Sequence, residues 1–282
     1  MSIKKYTESL YPYYHQGFKV DEVLYEDRSD CQDMILFHNE KFGRILALDG
    51  VIQTTQADEA CYHEMMVHVP MLSFGNAKNI LVIGGGDGGI IREVLKYDIQ
   101  KVTMVEIDGA VIEFSKKYLP NHSLGAFDNK KLELVIADGA EFVKNTQDKY
   151  DVIIVDSTDP IGPAAVLFSQ EFYQDCHNIL NEGGILVTQN GVPFFQADEL
   201  IGTWEKHRDI FNHANFYTTV VPTYAGGHMT LSFASDANYT NISLDELTKS
   251  YKKHNLGELF YYTPSVHLAA FCLPAFIENM LK

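Results

Sequence analysis

The sequence predicts an α/β protein, a Rossmann-like, doubly wound and mostly parallel sheet with a small N-terminal β domain. Three observations carry this expectation. From Asn79 onward, short apolar runs alternate with amphipathic segments, and strands this apolar are covered by helices on both faces. The run ILVIGGGDGGIIREV, Ile80 to Val94, passes from strand through a glycine cluster into a helix, the outline of a nucleotide-binding turn. Before Asn79 the runs are punctuated by turn residues instead. Two units are therefore expected: an N-terminal β-strand region over residues 1–56 and a Rossmann-like domain over 57–282.

Taken in order, VDEVLYED, QDMILFHN and GRILALDGVIQTT read as strands, with Gly43 and Asp49-Gly50 as turns. Asp58 to Phe74 reads as a helix with an apolar stripe that Pro70 kinks or ends. NILVIG, KVTMVEID, LELVIAD, YDVIIVDS and GGILVTQN read as buried strands, each followed by a helix. FYTTVVPTYA and HMTLSFAS predict an antiparallel hairpin joined around Gly226-Gly227. Two more helices are expected around 243–255 and 265–281.

Composition narrows the function classes. Hydrophobic residues make up 46% and charged ones 21%, enough for a full core. No apolar stretch approaches the roughly 20 residues of a membrane span, and MSIKKYTESLYPYYHQGF has no apolar core that would make it a secretory signal. Cys31, Cys61, Cys176 and Cys272 are scattered without a CxxC pair, which predicts a reducing compartment, the cytoplasm, and no structural zinc. Lys plus Arg number 22 against 38 Asp plus Glu, a net charge of −16 that disfavours nucleic acid. Solubility alone would explain the imbalance, but carboxylates gathered in a cleft would attract a cationic small molecule.

Ligands of open parallel sheets bind beyond the carboxyl ends of the strands. Those ends read Gly84, Gly85, Gly86 and Asp87; Glu106 and Asp108; Asp138 and Gly139; Asp156 and Asp159; Gln189 and Asn190, with no lysine or arginine. Gly84 and Gly86 belong to the nucleoside turn in this reading. Glu106 follows Gly86 by 20 residues, where a carboxylate accepts from ribose hydroxyls. NAD enzymes and S-adenosylmethionine enzymes share that pair, and tight packing alone would also explain the glycines. Asp138 either caps the helix after it or receives the adenine amino group.

Asp87 would repel a pyrophosphate. An adenosine carrying a sulfonium and a free amine would instead be matched by Asp87, Asp156 and Asp159, and Asp87 would oppose the carboxylate of ordinary S-adenosylmethionine. In DSTDPIGPA, Asp156 and Asp159 lie three apart and are stiffened by Pro160 and Pro163. They would attract a polyamine and accept its proton, if burial and the acidic neighbour raise a carboxyl from its reference pKa of ~3.9. An Asx-turn at a strand end would read the same. HEMMVH resembles a zinc HExxH only superficially: His63 and His68 are five apart, about 140° around a helix, and diverge. No metal site is expected; His68 is read as packing and Cys61 as inert.

The motifs ALDGVIQTTQADEACYHEMMVHVP, VIGGGDGGIIREV, MVEID, DSTDPIGPA and PTYAGGHM, in this order, resemble the polyamine aminopropyltransferases, the spermidine synthase family, over nearly the whole chain. The resemblance implies transfer of an aminopropyl group from decarboxylated S-adenosylmethionine, a co-substrate, to putrescine, giving spermidine and methylthioadenosine without a prosthetic group. It makes Asp156 the proton acceptor and places Gln32, Glu106, Asp138, Gly139 and Pro163 around the nucleoside and its thioether. His63, Asp87, Asp156 and Asp159 become polyamine or aminopropyl contacts, Gln189 lies near the attacking nitrogen, and Tyr62 and Tyr224 line the amine channel. A homodimer or homotetramer built through the N-terminal β region is implied too. Rival readings are a methyltransferase using S-adenosylmethionine, opposed by Asp87; a non-catalytic polyamine-binding protein, opposed by Asp156; and an NAD dehydrogenase, opposed by the acidic strand ends. Cadaverine stays open as the acceptor.

Overall fold

Short strands broken by left-handed turn residues build the N-terminal part. The computed structural model describes residues 4–29, 31–160 and 162–282. Strands β1 (Lys5–Thr7) and β2 (Gly17–Lys19) form an antiparallel pair, too short to register as a sequence pattern. Strands β3 (Glu22–Arg28), β4 (Asp33–Asn39), β5 (Gly43–Leu48) and β6 (Val51–Thr55) follow as an antiparallel meander. Gly43, Asp49 and Gly50 take positive φ at its turns, as their residue types anticipate. Alternation along β4 and β5 buries both faces. Met34, Leu36, Leu46 and Leu48 pack with Val111, Phe114 and Leu119, and Phe37, Ile45 and Ala47 pack with Phe18.

Helix α1 (Glu59–Phe74) has no single apolar stripe, because it is buried continuously from Cys61 to Ser73. Pro70 neither ends nor interrupts it. A proline forgoes one ladder bond, and packing on all sides holds the helix until Gly75, whose amide closes on Met71 O at 2.9 Å.

The main sheet contains β7 (Asn79–Gly84), β8 (Lys101–Glu106), β9 (Leu132–Ile136), β10 (Tyr150–Asp156), β11 (Leu180–Gln189), β12 (His213–Val220) and β13 (His228–Ser235). Their order is β12-β13-β11-β10-β7-β8-β9; the first five in sequence run parallel, and β12 and β13 form the antiparallel hairpin. Alternate residues serve opposite layers. Ile80, Val82, Met104 and Ile154 face α1 and α2 (Gly89–Val94), whereas Leu81, Ile83, Val105 and Ile153 face Val143, Phe172 and Cys176 across the sheet.

The remaining helices are α3 (Gly109–Tyr118), α4 (Pro120–Ser123), α5 (Gly139–Asn145), α6 (Gln170–Ile179), α7 (Ala197–Ile210), α8 (Leu244–His254), α9 (Pro264–Ala270) and α10 (Ala275–Met280). The helix expected over 265–281 is thus two helices, with Pro274 as the cap residue before the second. Among the described residues, no helix is long and apolar enough to cross a membrane. Strand order reverses between β7 and β10, where Gly84 and Asp156 are register partners. That reversal opens the crevice in which such sheets bind ligands.

Candidate active site

The carboxyl ends of β7, β8, β10 and β11 open into one cavity, closed opposite by β5, β6 and the first turns of α1. Every residue the resemblance assigns to the site, where its side chain is described, lines it; Asp108 and Asn190, also strand-end candidates, do not, and the side chain of Pro163 lies outside the described residues. Gly84 has φ +81°, and its neighbour Gly85 donates its N–H to Asp156 O at 3.1 Å. A Cβ on Gly84 would stand 2.1 Å from that same carbonyl oxygen. Gly84→Ala is therefore expected to lose about 3 kcal/mol, combining left-handed strain with a backbone clash. Gly125→Ala, equally left-handed but with nothing within 4 Å, should lose only about 1 kcal/mol. Urea denaturation of both variants checks the pair, and equal losses would refute the clash.

Gly86 lets Glu106 come close, since a Cβ there would lie 3.0 Å from Glu106 Oε2. Glu106 is buried at the end of β8, and Asp108 donates its N–H to Oε1 at 3.0 Å. Burial, reinforced by the Asp108 and Asp156 charges, lifts Glu106 to about 7 despite that bond. Asp108 caps α3 through Oδ1, while its Oδ2 accepts from Ser29 Oγ at 2.7 Å and Gln32 Nε2 at 3.1 Å. Gln32 is thereby fixed beside the Glu106 strand end. Asp138 caps α5, taking the Ala140 and Glu141 amides on Oδ1 alone at 2.8 and 3.1 Å. The cap leaves Oδ2 unused, so capping and ligand contact are compatible; Gly139 follows at the wall.

The strand ends carry no lysine or arginine, yet α1 brings an imidazole between two carboxylates there. His63 places Nε2 3.3 Å from Asp87 Oδ2 and Nδ1 2.6 Å from Glu59 Oε2. Against the pull of burial, these two carboxylates hold the imidazole well above its usual range, and His63 in turn holds Asp87 well below the carboxylate range. Asp87 Oδ1 also accepts the Gly89 N–H at 2.8 Å.

Asp156 ends β10 and accepts the Tyr62 hydroxyl on Oδ1 at 2.6 Å. Burial lifts it to about 6, with Asp87 adding to the rise and His63 and the Tyr62 bond opposing it. The neighbour expected to raise it was Asp159, but the acid that acts is Asp87. Asp159 is turned away to Gln196, whose Nε2 donates to Oδ1 at 2.7 Å, and burial raises it separately.

Tyr224 stands edge-on to Tyr62, ring centroids 6.3 Å apart, and donates to Gln53 O at 2.7 Å. Gln189 braces the loop after β10, donating to Thr158 O at 3.3 Å and accepting the Gly191 N–H at 3.0 Å. Asn190, also a strand-end residue, is fully buried and bonded to Thr203, away from the cavity.

Several cavity residues escaped sequence reading. Glu8 and Tyr11 arrive from the N-terminal segment, and nothing local signals it. Gln196 accepts from Tyr11 OH and Val192 N, both at 2.8 Å, while donating to Asp159. Glu59 was readable as the i−4 neighbour of His63 on one helix face. His68 points into the core, with Nε2 2.9 Å from Glu93 and Nδ1 2.8 Å from Tyr97 OH. Burial, then Asp58, pushes the Cys61 thiol up to about 11. No metal-binding group of His, Cys, Asp or Glu occurs among the described residues.

Residues 59–245 match the spermine/spermidine synthase domain, and residues 4–56 match the spermidine synthase tetramerisation domain. The chain is 51% identical to the polyamine aminopropyltransferase of Pseudomonas syringae pv. tomato, over 98% of this chain and 97% of that one. It is 50% identical to polyamine aminopropyltransferase 1 of Pseudomonas aeruginosa, over 96% of each. A crystal structure of spermidine synthase in complex with the transition state analogue AdoDATO superposes with a TM-score of 0.94 at 38% identity, covering 100% of this chain and 96% of that one. Spermidine synthase from Thermotoga maritima gives a TM-score of 0.91 at 37% identity, with coverages of 100% and 95%.

Proposed function

The chain belongs to the spermine/spermidine synthase family of polyamine aminopropyltransferases, and on that premise we propose that it transfers the aminopropyl group of decarboxylated S-adenosylmethionine to putrescine. Spermidine and methylthioadenosine are the products. One observation carries the reading: Asp156, tied to Tyr62 and raised to about 6, lies at the strand reversal among cavity acids. In this reading Glu106 receives the ribose hydroxyls, Asp138 Oδ2 receives the adenine amino group, and Asp87 faces the aminopropyl ammonium. Gln32 and Gly139 complete the nucleoside wall, and Tyr62 and Tyr224 flank the amine channel.

The chemistry asks little beyond placement and one proton transfer. Putrescine nitrogen attacks the aminopropyl methylene carbon that is bonded to the positive sulfur. The carbon–sulfur bond breaks, its electron pair stays on sulfur, and a neutral thioether leaves. An alkylammonium holds its proton until pH near ~10.4, so the nitrogen must be stripped first, and Asp156 takes that proton. Holding nucleophile and electrophile together supplies much of the remaining rate.

Residues 1–56 serve assembly into a homo-oligomer, a role supported by the tetramerisation-domain match, and also lend Gln32 and one wall to the cavity, while 57–282 carry the reacting groups. The deciding experiment supplies decarboxylated S-adenosylmethionine with diaminopropane, putrescine or cadaverine and follows methylthioadenosine release by chromatography. Putrescine should be consumed fastest. Faster turnover of cadaverine would change the acceptor, and no release with any amine would end the proposal.

A further inference from the structure

The triad Glu59–His63–Asp87 sits at the cavity end where the reading above places the donor's aminopropyl ammonium. Each ring nitrogen of His63 faces a carboxylate, Nδ1 at 2.6 Å and Nε2 at 3.3 Å. A neutral imidazole carries one N–H and one lone pair, so one of these contacts would set a lone pair against an anion. Only the imidazolium donates to both. Glu59 is held from behind, independently of anything in the cavity. The Arg92 guanidinium grips it bidentately, Nη1 to Oε1 and Nη2 to Oε2, both at 2.9 Å, while Arg92 Nε donates to Glu93 at 2.7 Å.

We propose that Glu59 is a positioning residue of the proposed reaction: acting through His63, it locks the triad at one net negative charge, the match for a single ammonium. The proposal rests on the aminopropyl-transfer reading. The groups facing His63 are few. Glu59 and Asp87 flank it, Asp156 lies near enough to feel its charge, and the Tyr62 and His122 rings stand edge-on at 5.5 and 6.3 Å. Burial keeps His122 below its usual range, and its Nε2 bonds Thr54, so it adds no cation here. Arg92 stands behind Glu59 and is the remaining positive charge.

Without the Glu59 charge, a protonated His63 would cancel Asp87 and leave the triad neutral. The donor ammonium would then lose its counter-charge. Deprived of its closer anionic partner, His63 would also give up its proton at lower pH, returning the triad to one negative charge. Glu59→Gln is therefore expected to raise the donor KM about tenfold near pH 6, with recovery toward the wild-type value by about pH 9. The kcat should change far less than KM. Glu59→Asp, which keeps the charge, should show no such recovery with pH.

A second substitution isolates the route. In a His63→Gln background, Glu59→Gln should lose its pH-dependent component, because no imidazole remains to titrate. A variant-to-wild-type KM ratio that stays constant with pH, or a pH dependence that survives His63→Gln, would overturn the proposal while leaving the function intact. Absence of wild-type turnover would overturn both. Should Glu59→Gln not fold, ring nitrogen-15 spectra of histidine-labelled wild type decide, with His63 assigned by its absence from His63→Gln. An imidazolium at about pH 9 supports the locked triad, and a neutral ring overturns it.

Discussion

Asp156→Asn is expected to lower kcat by about 10³-fold while methylthioadenosine binding stays near the wild-type level. Asparagine keeps the size of the side chain and an oxygen for the Tyr62 hydroxyl, which now lies 2.6 Å from Oδ1. It cannot take a proton from an attacking amine. The nucleoside contacts assigned to Glu106 and Asp138 come from other strand ends and survive the change. The same assignment fixes a pH dependence. Burial has raised Asp156 to about 6, and a proton acceptor must be empty, so wild-type kcat/KM should hold above that pH and fall as pH drops through it. Methylthioadenosine release across pH, with calorimetry of nucleoside binding, checks both. Near-normal turnover of the variant would remove Asp156 from its role; loss of nucleoside binding as well would make the role one of binding.

Glu64→Ala should cause the largest loss of stability, about 4 kcal/mol or more. The carboxylate is buried and accepts three successive backbone amides, from Phe260 at 2.7 Å, Tyr261 at 2.8 Å and Tyr262 at 2.7 Å. Alanine leaves all three donors without that partner, at roughly 1–3 kcal/mol each where they stay dry. Glu64→Gln, which keeps one accepting oxygen, should fall between. Urea unfolding together with amide exchange at residues 260–262 measures the effect. A loss below about 1 kcal/mol with unchanged exchange would mean that solvent replaces the carboxylate.

Glu64 also marks where sequence reading ends. Spacing in HEMMVH dismisses a zinc motif, but no letter there announces an anchor for a segment 198 residues away. The strand ends were legible because a parallel sheet brings them to one edge whatever the loops do. Their mutual partners were not. Tyr62 meets Asp156 across 94 residues, and Tyr11 meets Gln196 across 185, through packing that no local pattern encodes. Asp156 and Asp159 looked like a pair because they are close in the chain. The first ends a strand and meets Tyr62, whereas the second lies beyond the turn and is drawn to Gln196. Pro70 misled for a related reason: a breaker is judged by its neighbours in sequence, but burial around α1 outweighs one missing bond.

The amide of Gln196 clasps the N-terminal segment to the loops at the Asp159 side of the cavity, through Tyr11, Val192 and Asp159. An amide never ionises, and burial with the Asp159 charge pushes the Tyr11 hydroxyl upward, so it keeps its proton through the physiological range. Gln196 Nε2 also donates to Glu199 Oε2 at 3.3 Å, and burial, then the Asp159 charge, lifts that carboxyl to about 8, so two acids at this seam respond to pH. Acid therefore adds protons to the carboxyls that Gln196 gathers, whereas its link to Tyr11 joins two groups with no charge to lose.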